Sequence, residues 1–264
     1  MLTPDQMNAL AQAQASKLRV VRRALPPAIG HGYVDIVRGH ELALTALGQP
    51  TPMNIRPFQP RRPLQMSRSF FLHREQYGDD DILKALITQA TANLADAEDA
   101  VILLGRAART KLEDLNIRFD PTDLRKQGRL VPAIAGGPIR RNILDSILRG
   151  IVDLQRNGYN GEYRVIASPY RYSQAYRRRA GRSALIHEIQ ALLPNNGFLS
   201  SSILRGNQGV IFSLARGTVR LSVPVDTYVD TSIPNDDQGR QRFRVAQQFH
   251  LMLDDPYRAR VALR

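Results

Sequence analysis

Between Ile82 and Ala108 a single apolar stripe keeps a 3.6-residue period for about seven turns, through Ile82, Leu83, Leu86, Ile87, Ala90, Leu94, Ala97, Val101, Leu104 and Ala108. A run of that length predicts one spine helix crossing the protein, since each residue adds about 1.5 Å. Asp79, Asp80 and Asp81 stand just ahead of it. There, acceptor side chains and negative charge suit the free N–H groups of a helix start. A spine this long favours one protein-wide scaffold over several compact domains.

The elements around it are predicted to be shorter. Pro4 to Arg23 reads as a helix with few large apolar residues, Leu10 and Leu18 among them, stopped by Pro26 and Pro27. Its arginines 19, 22 and 23 fall where positive charge suits a helix C-terminus. Short strands are expected at 33–37 and 42–47. Pro50, Pro52, Pro57, Pro60 and Pro63 then forbid a helix or a central strand, which leaves an extended arm before a strand at 64–72.

Beyond the spine, a second amphipathic helix is expected from Ile139 to Asn157, with Ile143, Leu144, Ile147, Leu148, Ile151 and Leu154 on one face. Tyr163 to Ala167 reads as a strand, and Ser168-Pro169 opens a short helix that ends in the loop 177–182. Ser183 is expected to cap a helix from Ala184 to Leu193. The tail turns to strands at 198–204, 210–214, 219–229 and 241–253, the last two joined by a hairpin loop at 234–239. The fold class expected is α+β, and no internal repeat is visible.

Composition narrows the function classes. No apolar run approaches the ~18 residues of a membrane span, and residues 1–10 lack the pattern of a secretory signal. With Cys 0 there is no disulfide framework, thiolate metal site or cysteine nucleophile. A soluble cytosolic protein is the expectation. The chain carries 37 basic against 24 acidic residues, and only Lys17, Lys84, Lys111 and Lys126 are lysines. Arginine suits planar contacts with carboxylate and phosphate. Such a bias fits a phosphate-binding surface, extensive subunit contact, or simply a GC-rich genome.

Catalytic patterns are missing from the sequence. His31, His40, His73, His187 and His250 fit no metal spacing. There is no nucleophile elbow around Ser200 to Ser202, which read as strand, and no phosphate-cradling glycine loop. The neighbouring pairs Glu98-Asp99, Asp236-Asp237 and Asp254-Asp255 diverge on a helix or a strand, so none forms an obvious catalytic dyad. No catalytic residue, metal site or cofactor is expected. The sharpest local feature is Arg177, Arg178, Arg179, Gly181 and Arg182, readable as a solvated turn, a phosphate site, or a ring of charge at a symmetry axis.

Several strings in this order resemble the encapsulins, shell proteins of bacteria and archaea on the tailed-phage major capsid (Hong Kong 97-type) fold. Leu94-Ala95-Asp96-Ala97-Glu98-Asp99-Ala100-Val101 to Gly105 is similar to the family's A-x-A-E-D-x-A-I-x-x-G stretch. Val34-Asp35-Ile36, a glycine turn and a strand ending at Gly48 resemble the start of the capsid domain. Tyr163 to Tyr170 is similar to the entry of the axial domain, and 219–256 to the family's finish. The chain departs from the family in its proline-rich 51–63 and in Arg244 to Gln248. It also has Trp 0, where some members stack a flavin on tryptophan, so no flavin is expected.

The resemblance implies a shell protomer, not an enzyme, that self-assembles into an icosahedral (T=1) cytoplasmic compartment around a cargo enzyme bearing a targeting peptide. It divides the chain into an inward-facing helix at 1–30, a peripheral domain at 31–48 and 73–134, an extended arm at 49–72, an axial domain at 135–222 and return strands at 223–264. By the same resemblance, Leu10 and Leu18 either line a groove for cargo or pin their helix to the shell. Residues 177–182 would ring a five-fold pore, while Arg56, Phe58, Arg61 and Arg62 would contact neighbouring subunits. Two alternatives remain: a phage or prophage capsid protein packaging DNA, and a monomeric basic nucleic-acid-binding protein.

Overall fold

A computed structural model of the chain describes residues 2–25, 27–29, 63–115, 117–119, 143–177, 184–214, 219–236, 238–253 and 260–262. The expected strands at 33–37 and 42–47 and the proline-rich arm lie outside these residues, as do Ser183 and most of the arginine loop.

Helix α1 (Pro4–Leu18) begins with Thr3 and Gln6 each accepting the other's backbone N–H, and with proline in its first turn. It buries the narrow stripe Met7, Ala11 and Ala15, small residues that let it lie close to its neighbours. The helix does not run on to Arg23 as its composition suggests. Arg19 adopts an extended backbone, and a separate short helix α2 (Val20–Ala24) follows. The cause is tertiary: the break turns Arg19 inward and frees the N–H groups of Val20 and Val21, both accepted by Asp99. The macrodipole role expected for arginines 19, 22 and 23 gives way to buried pairing for the first two, while Arg23 stays exposed.

Among the described residues the next strands are β1 (Ala28–Ile29) and β2 (Leu64–Leu72). The spine is α3 (Asp80–Leu104), 25 residues or roughly 37 Å long. Asp79 caps it, accepting from the N–H groups of Asp81 and Ile82. Its buried face is Leu83, Ile87, Ala90, Leu94, Ala97 and Val101. The helix stops four residues before the end of the periodic pattern, because Gly105 takes a positive φ of 55°, which other residues rarely adopt. A short turn leads into α4 (Ala108–Asp114), followed by β3 (Arg118–Phe119).

The second half holds α5 (Ile143–Arg156), β4 (Tyr163–Ala167), α6 (Pro169–Tyr176), α7 (Leu185–Leu192), β5 (Phe198–Ser200), β6 (Gly209–Ser213), β7 (Val219–Asp230), β8 (Gln241–Leu253) and β9 (Arg260–Ala262). Three expectations need correction. Leu148 does not share the buried face of α5 but stands 41% exposed. The strand after Gly197 ends at Ser200, because the Ser201 hydroxyl accepts the N–H of Ile203 and closes a turn. At the N-cap of α7 stands Ala184, with no side-chain cap bond.

Two sheets organise these elements among the described residues. One is five-stranded in the order β1-β7-β8-β2-β3, with β2 antiparallel to β8 from Leu64–Phe249 to Leu72–Gln241. The other is four-stranded, β5-β4-β6-β9, with β4 parallel to β5 and antiparallel to β6. Residues 260–262 thus pair in the second sheet, a correction to the expected return of all of 223–264 to the first. The expected boundary after residue 222 also falls inside β7.

The first core lies between the first sheet and α1, α2 and α3, and extends onto one face of the second sheet through Ile166, Leu199, Val210 and Phe212. The opposite face of that sheet, with Val165, Ala167 and Ile211, meets α5, α6 and α7 in a second core. With a core on each side, β4 and β6 are buried along their whole length.

Candidate functional site

The most concentrated chemistry among the described residues lies where the N-terminal segment meets the spine. Strand β7 prepares it. Between Ser222 and Tyr228 its register against β8 slips twice, with three steps on β7 opposing two on β8 each time. Such bulges re-aim side chains that would otherwise alternate, and here both Asp226 and Thr227 reach toward Arg19.

Glu98 and Asp99 stand side by side on α3, 0% and 3% exposed. The roughly 100° between them, which separates them as a dyad, gives each a different partner. Glu98 takes a two-pronged contact from Arg22, Nε to Oε1 at 2.7 Å and Nη2 to Oε2 at 3.0 Å. Arg22 Nη1 also donates to Asp226 Oδ1 at 2.8 Å. Arg19, 1% exposed, places Nε 3.1 Å from Glu98 Oε2 and Nη1 3.2 Å from Asp226 Oδ1. Its Nη2 donates to Thr227 Oγ1 and Gln247 Oε1. Asp99 accepts the N–H of Val20 at Oδ2 and of Val21 at Oδ1, at 2.9 and 3.1 Å. Asn8 accepts the N–H of Val229 at 2.7 Å, fastening α1 to β7.

Burial and partners set the charge states. Desolvation works against the charge of Arg22, but Glu98 and Asp226 outweigh it and hold the guanidinium above its ordinary value. For Arg19 desolvation wins and lowers it. Asp226 is penalised by burial yet held below the usual carboxylate range, chiefly by Arg22. Asp99 goes the other way: burial and the Glu98 charge push it up to about 7, against the two N–H groups it accepts and Arg19. Built around the bidentate Arg22–Glu98 pair, such a cluster specifies one docking geometry, and loss of one partner leaves a buried charge uncompensated.

Sequence reasoning passed over this cluster. Its signal was two carboxylates inside an apolar helical stripe, Glu98-Asp99 between Ala97 and Ala100, which calls for buried partners elsewhere. Of the residues singled out beforehand, Leu10 is half-buried against the first core and Leu18 is 42% exposed, about 80° further round α1. Arg177, exposed, ends α6. Arg178, Arg179, Gly181 and Arg182, like Arg56, Phe58, Arg61 and Arg62, lie outside the described residues. Among the described residues no acidic or histidine cluster has the arrangement of a metal site, and no helix is long and apolar enough to cross a membrane.

The architecture is therefore a spine helix laid on a long-stranded sheet, an N-terminal helix pinned to it and a second lobe around a mixed sheet. The same architecture recurs in the virus-like particle from Pyrococcus furiosus, with a TM-score of 0.67 over 97% of both chains at 15% identity. It recurs again in the satellite phage P4 procapsid, at a TM-score of 0.50 and 12% identity over 99% of this chain and 91% of that one. The fold is the tailed-phage major capsid type.

Residues 59–249 match the family described as "Encapsulating protein for peroxidase" (Linocin_M18), and the chain belongs to that family, the encapsulins. The type 1 encapsulin shell protein EncA of Myxococcus xanthus is 29% identical over 170 residues, 63% of this chain and 54% of that protein. The chain thus aligns with about half the length of that curated relative.

Proposed function

We propose that the chain is a structural protomer that self-assembles into a closed icosahedral compartment in the cytoplasm and encloses a cargo enzyme delivered by a targeting peptide. The observation that carries this reading is the encapsulin family match over 59–249. The family description names a peroxidase, which makes a peroxidase the first cargo to test. In this reading residues 1–30 face inward, the lobe built on the second sheet is the axial one, and residues 49–63 reach to neighbours. The charge balance of +13 favours an anion-attracting ring at 177–182. Leu18, exposed on α1, is the residue most available to a cargo tail.

The experiment is gel filtration and negative-stain microscopy of the purified protein, with the 260/280 nm absorbance ratio. Megadalton cages free of nucleic acid are expected. Cages full of nucleic acid would point to a DNA-packaging capsid instead, and monomers with a steep salt dependence on DNA would overturn the shell reading. Co-expression with a peroxidase carrying a C-terminal tail tests cargo: loading into wild-type cages and its loss in Leu18→Asp is the expected pair of results.

A further inference from the structure

The cluster between the N-terminal segment and the spine does not balance in charge. Two guanidinium groups, Arg19 and Arg22, face three carboxylates, Glu98, Asp99 and Asp226. All but Asp226 are buried. Fully ionised, the group would carry one uncompensated negative charge in a low-dielectric setting, which is strongly unfavourable. The excess falls on Asp99. Glu98 and Asp226 hold the guanidinium groups, whereas both oxygens of Asp99 accept backbone N–H from the start of α2. What those contacts position is a seam: α1 lies on α3 and β7, while α2 touches α3 and also β4 and β5 of the second sheet.

We propose that this cluster is a proton-linked latch: one proton held among its three carboxylates keeps α1 and α2 clamped across the seam between the two sheets, and loss of that proton loosens the segment. The charged neighbours from each packed element support this. The N-terminal segment presents Arg19 and Arg22, with Arg23 exposed. The spine presents Glu98 and, one turn earlier and partly exposed, Asp96, while β7 presents Asp226, β8 the uncharged Gln247, β2 Arg68, which donates to the Leu115 carbonyl, and β4 Arg164, which pairs with Glu162. Nothing cationic in that set remains to neutralise Asp99 once Glu98 and Asp226 are paired.

The sign follows from burial. Undocked and in water, Asp99 titrates near its ordinary value of 3.8; docked, burial and Glu98 push it up to about 7. A group whose value is raised by docking favours the docked state at low pH, and that contribution drains away as pH climbs from about 4 to about 7. The latch is therefore tightest in mild acid and weakest above neutrality. It belongs to the folded chain and does not depend on whether that chain builds a compartment.

Hydrogen exchange of the full-length protein, corrected at each pH for the intrinsic exchange rate, reads the latch directly. Between pH 5 and pH 8 the protection of residues 4–24 is expected to fall at least tenfold, while that of α5 and β4 stays level. In Asp99→Asn, which cannot gain the extra charge, protection of 4–24 should be independent of pH. Wild-type protection that is flat over this range, or that falls equally throughout the molecule, would overturn the proposal. So would an Asp99→Asn protein that keeps the wild-type profile. Should that variant fail to fold, the wild-type profile decides, with Glu98→Gln as the second charge-balancing variant expected to flatten it.

Discussion

The two cores are held together by different means. Around α5, α6 and α7 the packing is aliphatic and aromatic: Ile147, Leu154, Val165, Ile189 and Ile211 at the centre, with Tyr172 stacked on Phe198 at 5.0 Å. The first core instead carries five charged side chains between α1–α2, the spine and β7. Apolar contacts are nearly isotropic and tolerate sliding, so they bind lobes without dictating their register. A bidentate guanidinium–carboxylate pair has one good geometry, and misplacement leaves a buried charge bare. The small-residue face of α1 (Met7, Ala11, Ala15) offers little apolar area, so the ionic cluster supplies the docking specificity that the helix itself lacks.

That contrast can be broken at either end. The largest effect is expected from Glu98→Ala, which strips Arg19 and Arg22 of their shared partner. About 3–5 kcal/mol should be lost in urea unfolding, far more than the volume removed would explain. Ile189→Ala in the second core should lose about 2–4 kcal/mol, the ordinary consequence of a cavity. If it were the more damaging of the two, the proposed division of labour between the cores would be wrong.

Asp99→Asn sharpens the comparison through pH. Because the folded-state value near 7 lies above the ordinary 3.8, the Asp99 contribution to wild-type stability is fully present below about pH 4 and drains away as pH rises to about 7. Wild-type stability should carry a slope from this group of up to about 1.4 kcal/mol per pH unit inside that window, and the asparagine variant should lack it. Denaturant midpoints at pH 5, 6 and 7 make the measurement. The smallest effect belongs to the exposed pair Arg109–Glu113, 2.9 Å apart on the surface of α4. Arg109→Ala should change stability by about 0.5 kcal/mol or less, and added salt should erase the difference.

Much of the fold was written locally. The stripe from Ile82 onward marked the spine, and Asp79 its cap; β2, β4 and β8 begin and end where alternation and turn residues place them. Each of those signals needs only neighbours within a few residues. The arginine bias and the acidic pair in the spine were equally visible, but what they meant was not. Arg19 and Glu98 are 79 residues apart and Asp226 lies a further 128 along the chain, so no window of sequence shows that they meet. The candidate site was therefore almost unread.

The sequence by itself settled the repertoire: one long amphipathic helix, a helix of small residues ahead of it, a strand-rich tail, and a family whose members share that order. Tertiary structure decided the rest. It broke the N-terminal helix at Arg19, because a buried carboxylate 80 residues away offered two acceptors to backbone N–H groups that a continuous helix would have used internally. It turned Asp226 and Thr227 to one side through bulges in β7, and it carried residues 260–262 to the second sheet. Local propensities amount to tenths of a kcal/mol per residue, whereas an unpartnered buried charge costs several. Where the two conflict, the distant partner wins.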